Sequence, residues 1–145
     1  MRRRGCQKTT QVFGLTGAVP DFGAIILGAN MGVQRMTREH LGLLLALRLP
    51  FFVVVTKIDL APENVRLETI EKMCALLKGQ SVRKMPYLVK DETGCLSCAR
   101  QLAEGARLVP VFQVSNVTGH GLDLLRLFLN ALPARREWPA GRRRR

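Results

Sequence analysis

Residues 51–60, Phe-Phe-Val-Val-Val-Thr-Lys-Ile-Asp-Leu, confine the fold of this chain more tightly than any other stretch. The apolar run from Phe51 to Val55 has no polar alternation, so it reads as a strand buried on both faces, as in a parallel sheet. It ends in Thr56-Lys57-Ile58-Asp59, a short polar loop. A carboxylate such as Asp59 can accept two N–H bonds from guanine, at N1 and the 2-amino group, in one bidentate contact. Adenine presents a lone pair at N1 and is rejected by the same carboxylate. The methylene stem of Lys57 can lie over a purine ring while its ammonium stays in water, and the Thr56 hydroxyl can tie the loop down. The same letters also suit a strand followed by a polar helix cap.

A second strand pattern, Val109-Pro110-Val111-Phe112-Gln113-Val114, ends in Ser115-Asn116-Val117. Gly119 and Gly121 follow, and then a helix-like run from Leu122 to Leu132. Ser115 lies about 55 residues after Asp59, room for one helix and an insertion between the two strands. Such a turn can offer backbone N–H to guanine O6, a contact that does not depend on the side chain at position 116. Either motif alone is common in α/β proteins; in this order they reinforce each other.

These residues carry a resemblance. Lys8-Thr9-Thr10, Val12-Phe13-Gly14-Leu15-Thr16-Gly17, Pro20-Asp21-Phe22 and Thr37-Arg38-Glu39-His40-Leu41-Gly42-Leu43 precede Val54–Asp59 and Ser115–Gly119 in the chain. Together they resemble the elongation-factor-like (translational-type) GTPases of the GTP-binding protein one/two family, over about residues 7–133. The resemblance implies an α/β fold, a P-loop GTPase (Rossmann-like) G domain with a three-layer parallel sheet. It implies GTP as ligand, with Mg²⁺ in a complete member, and Thr56, Lys57, Asp59, Ser115, Asn116 and Val117 as the guanine-binding residues. It further implies RNA, ribosome or exosome-type partners.

The family also needs G-x-x-x-x-G-K-[ST] to cradle phosphates and hold Mg²⁺, and no such string occurs. Its Asp-x-x-Gly-His would fall just before residue 7, where the chain reads Met1-Arg2-Arg3-Arg4-Gly5-Cys6. Asp91-Glu92-Thr93-Gly94 fits Asp-x-x-Gly by letter but follows Asp59, and reads as a surface turn. The expectation is therefore a partial G domain with its first strands missing. It divides into a basic tail at 1–6, the second half of a G domain at 7–133, and an Arg-rich tail at 134–145. No catalytic or metal-binding residue is assigned.

The net charge of +12 in 145 residues suggests nucleic acid until it is mapped. Four basic residues lie in 1–8 and six in 134–145, whereas 9–133 carries only +3. The basicity belongs to two tails that would attract RNA or anionic lipid without sequence preference; equally, they could be sequence with no selected partner. Cys95-Leu96-Ser97-Cys98 is a C-x-x-C without the second pair or histidines a zinc site needs. His40 reads as packed or capping at the start of a Leu-rich helix, and His120 as exposed between two glycines. No secretory signal follows Arg2–Arg4, and Leu41–Val55 is too short and interrupted to span a bilayer. Free cysteines without a signal suit the cytoplasm.

Periodicity predicts helices at 7–15, 37–48 (capped by Thr37), 63–78, 95–104 and 121–132. It predicts strands at 22–28, 51–56 and 109–114, with a short extra strand at 86–90. The strand at 22–28 would lack one neighbour and expose an apolar edge, a template for association. Three functions compete: a partial guanine-nucleotide-binding domain, a nucleotide-free interaction module, and a basic RNA-binding chain. The last has no aromatic-interleaved groove to support it.

Overall fold

Double-sided burial of the Phe51–Val55 run sets the architecture. The computed structural model describes residues 20–105 and 107–133. In chain order these form β1 (Gly23–Gly28), α1 (Arg35–Ala46), β2 (Phe51–Thr56), α2 (Glu63–Lys78), β3 (Met85–Leu88), α3 (Glu92–Ala103), β4 (Leu108–Gln113) and α4 (Leu122–Ala131). The four strands make one parallel sheet in the order β1-β2-β4-β3. β2 pairs with β1 over its full length, from Gly23↔Phe51 to Gly28↔Thr56. Pro110 of β4 cannot donate to a ladder; it lies just before Val111, where the pairing with β2 begins.

Alternate residues of β2 feed two cores. Phe51, Val53 and Val55 join Ile25 and Leu27 of β1 under Leu41 and Leu44 of α1 and Ile70, Met73 and Leu77 of α2. On the other face Phe52 and Val54 join Phe112, Cys95, Cys98 and Leu102 of α3, and Phe128 of α4. Phe128 stands 5.1 Å from Phe52 and 4.8 Å from Phe112, ring centre to ring centre, and so closes an aromatic cluster beneath α4. The result is a three-layer α/β arrangement, with one helix pair on each face of the sheet.

Seven of the predicted elements lie within two residues of their observed bounds at both ends, but three readings need correction. Thr37 does not cap its helix: α1 starts at Arg35 with Gln34 at the cap position, and Thr37 is buried inside the first turn. Consequently His40 sits mid-helix, half-buried, rather than at the helix start. Asp91–Gly94 is not a surface turn. Asp91 is the cap of α3, and Glu92, Thr93 and Gly94 are its first turn, with the Cys95 N–H donating to the Asp91 carbonyl at 2.9 Å. The Asp91-Glu92 pair suits a helix start because carboxylates near unpaired N–H groups are stabilised there. The expected helix at 7–15 and both tails lie outside the described residues.

The expected open edge is present among the described residues. β1 has β2 as its one neighbour, and its Ile26 side chain is 67% exposed on the face away from α1. Ala24 and Ile26 of β1, Phe52 and Val54 of β2, and Leu122, Leu125 and Leu129 of α4 line an apolar cleft of about 760 Å³ that runs up to Thr56 and Asp59. Truncating Phe128 to Ala should cost about 3–5 kcal/mol, because it removes the ring that fills the space between Phe52 and Phe112. Urea unfolding followed by circular dichroism measures that loss.

Candidate guanine-recognition site

Parallel strands deliver their loops to one end of the sheet, where ligands of open α/β folds bind. Here the loop after β2 and the turn after β4 meet at that end. The two strands are adjacent in the sheet, so Asp59 and Ser115 are brought together across a sequence separation of 56 residues. The Ser115 hydroxyl donates to the Asp59 carboxylate at 2.5 Å. Its oxygen accepts the N–H groups of Val117, at 3.3 Å, and Thr118, at 3.2 Å. A fully buried hydroxyl thus fixes both a carboxylate and the turn beneath it.

Asp59 is not a helix cap. α2 starts at Glu63 with Pro62 at the cap position, and no side chain caps it. One Asp59 oxygen is engaged by Ser115 and the carboxylate as a whole is exposed, which leaves acceptor capacity facing solvent. Ahead of it, Lys57 adopts φ 58°, a left-handed conformation that a side-chain-bearing residue takes at a cost. That twist ends β2 abruptly and turns the chain so that Ile58 is buried while Lys57 and Asp59 stay on the surface. The Thr56 hydroxyl donates to the Leu27 carbonyl at 3.2 Å, pinning the end of β2 to β1.

The turn after β4 is equally determined. Val114 N–H donates to the Val55 carbonyl at 2.8 Å, continuing the β2–β4 contact past the strand end. Ser115 N–H goes to the His120 carbonyl, Gly119 N–H to the Ser115 carbonyl, and His120 N–H to the Thr118 hydroxyl. With Val117 and Thr118 bonded to the Ser115 hydroxyl, the N–H of Asn116 has no intramolecular partner, nor has that of Gly121 at the far end of the turn. Gly121 closes the turn at φ 71°, where a Cβ would run into the Gln113 carbonyl oxygen. Val117, 83% exposed, and Leu60, 65% exposed, stand at the mouth of the cleft with Lys57 and Asn116.

All six residues singled out in the sequence therefore lie at one end of the sheet: five line the cleft, and Ser115 lies buried beneath it. The sequence reading missed the role of the Ser115 side chain, which it valued for its backbone. A small hydroxyl residue at a buried strand end was the available signal. The two cysteines of the C-x-x-C belong to the core instead. Cys95 donates its thiol proton to the Leu124 carbonyl, and burial, reinforced by Cys95, pushes the Cys98 thiol up to about 11. Both are held as neutral thiols at neutral pH, the unreactive form. Among the described residues no three His, Cys, Asp or Glu side chains gather as a metal site.

Replacing Ser115 by Ala leaves two turn N–H groups and one carboxylate oxygen without their shared partner. A stability loss of about 1–3 kcal/mol is expected, measurable by chemical denaturation. Replacement by Thr, which keeps the hydroxyl, should recover part of it.

Comparison with known proteins places the chain in a family. Residues 11–134 match the model of the elongation factor Tu GTP binding domain. GTP-binding protein 1 of Xenopus laevis is 49% identical over 126 residues, covering 87% of this chain and 19% of that protein. GTP-binding protein 2 of Homo sapiens is 44% identical over 124 residues, covering 86% of this chain and 21% of its own length. The chain thus spans about a fifth of the length of these relatives. The crystal structure of apo translation elongation factor SelB from Methanococcus maripaludis superposes with a TM-score of 0.59 at 19% identity, over 90% of this chain and 24% of that one. The fold is that of a G domain, and the chain belongs to the elongation factor Tu GTP-binding domain family.

Proposed function

We propose that residues 51–60 and 114–121 form the guanine-recognition end of a translational-type G domain, and that this chain binds the base of GTP there. The observation that carries the reading is the pairing of a clamped acceptor with a free donor. Asp59 is held by Ser115 with acceptor capacity open, and the Asn116 N–H beside it has no internal partner. Guanine presents the complement: N1–H and the 2-amino group for the carboxylate, and O6 for the N–H. Lys57 and Val117 supply apolar surface for the two faces of the ring.

Phosphate recognition is not part of this site. The sequence contains no phosphate-loop string, and no Mg²⁺ ligands are assigned, so the 145 residues on their own should bind GTP through the base alone. A few charge-assisted and neutral bonds are worth about 3–5 kcal/mol, which corresponds to millimolar affinity. The family implies hydrolysis, Mg²⁺ and RNA- or ribosome-associated partners for complete members. For this chain the proposal is base binding without turnover above background, in the cytoplasm, where the free thiols of Cys74, Cys95 and Cys98 persist.

Ligand-observed NMR with GTP, XTP and ATP on the chain and on Asp59→Asn tests this reading. The unsubstituted chain should prefer GTP to ATP, with a dissociation constant near millimolar. Asp59→Asn replaces an acceptor with an N–H₂ donor, which opposes the 2-amino group of guanine and suits the 2-carbonyl of xanthine. Its XTP-to-GTP preference should rise at least about tenfold. An unchanged ratio removes Asp59 from the site, and micromolar GTP affinity would mean that phosphates are held after all.

A further inference from the structure

We propose that β3 and the basic chain leading into it form a docking surface for single-stranded RNA, with Tyr87 as the base-stacking residue. The surface lies on the edge strand farthest from β1 and does not rest on the reading of Asp59.

Met85 and Tyr87 share the α3 side of the sheet, and α3 leaves them open: Met85 is 68% exposed and Tyr87 42%. The Tyr87 ring lies beside the first turn of α3 at Gly94, where a Cβ would stand 2.9 Å from the phenol oxygen. A glycine at that point lets the ring rest beside the helix with part of its surface open to a visiting base.

Cations gather where β3 begins. Residues 78–90 hold four basic residues, Lys78, Arg83, Lys84 and Lys90, and no acid. The Lys84 N–H donates to the Leu77 carbonyl at 2.9 Å, which ties the strand entry to the end of α2 beside Lys78. The Met85 N–H donates to the Arg107 carbonyl at 2.8 Å, which brings in a cation from the chain before β4. Against these stands Glu104, at the cap of α3. Arg35, Arg66 and Lys72 pair with glutamates, whereas Lys78, Arg83, Lys84 and Arg107 make no ion pair among the described residues. Residues 9–133 carry only +3, so this is a local concentration and not a general excess.

Three partners suit positive charge beside exposed apolar side chains, and the strand discriminates among them. The Met85 and Val89 N–H groups point to β4, so Pro86 and Leu88 present their backbone to the open edge. Pro86 has no N–H, which leaves Leu88 as the strand's single outward donor and makes β3 a poor template for an added peptide strand. A lipid surface binds in proportion to the apolar area it buries. Here that area is two side chains, next to the exposed polar Ser97 and Gln101 of α3. Single-stranded RNA needs only what is present: cations for phosphates and an aromatic face for a base. In a duplex the base faces are hidden in the stack.

Tyr87 is the one tyrosine of the chain. Labelling the 145-residue chain with 3-fluorotyrosine therefore puts a single fluorine NMR probe on this surface and none on the Arg-rich ends. Titration with an oligouridine about twelve nucleotides long should shift that resonance saturably. A duplex of the same length should need at least about fivefold higher concentration for the same shift. Lys84→Ala and Arg107→Ala should each lower the slope of log affinity against log salt, read from the same resonance, by about one. If anisotropy shows the oligouridine bound while the fluorine resonance stays put, the Arg-rich ends alone hold RNA and the inference is overturned. An equal shift with inorganic polyphosphate removes base stacking, and an unchanged salt slope in both variants removes the cations; either overturns it. A shift with phosphatidylserine vesicles but not with oligouridine would reassign the surface to lipid.

Discussion

Everything at the end of this sheet that carries the candidate site depends on β2 lying between β1 and β4 in parallel register. Parallel pairing sends the ends of neighbouring strands to the same edge, and double-sided burial of Phe51–Val55 prevents β2 from slipping. A slip of one residue would exchange the Phe52 and Val53 faces and break both cores together. The register in turn places Thr56 level with Gly28 and brings Asp59 within reach of Ser115. The precision of the site is thus inherited from aliphatic packing several residues below it.

The two faces of the sheet are unequally finished. On the side of α1 and α2, the residues of β1 alternate cleanly, with Ile25 and Leu27 buried. On the side of α3 and α4, the aromatic trio covers β2 and β4, but Ile26 of β1 remains exposed. Parallel sheets normally have both faces covered, so among the described residues β1 is where apolar cover is least complete.

Much of this was legible in the sequence, for identifiable reasons. β2 and α2 are found at their predicted bounds, because an unbroken apolar run and a Pro62-led helix leave few alternatives. The start of α3 was not legible: Asp91-Glu92-Thr93-Gly94 has turn-forming letters, and only the burial of Cys95 and Cys98 against the sheet makes it helical. Thr37 misled for a similar reason, since a good cap residue was drawn inside by packing, and Gln34 took the cap position. At the site, residue types pointed to Asp59 and to the Ser115 turn. The hydroxyl–carboxylate bond between them could not be read before strand order was known, because nothing in the chain states that β4 rather than β3 lies beside β2.

The turn from Ser115 to Gly121 keeps its shape through one buried hydroxyl, main-chain bonds and a glycine packed against a carbonyl, while the side chains of Asn116, Val117 and Thr118 face outward. Shape and decoration are therefore separable there. Evolution can repaint the outer positions, altering stacking surface or partner preference, without moving the donor beneath. Such a turn is better found by its buried anchor and closing glycine than by the letters a visitor meets first.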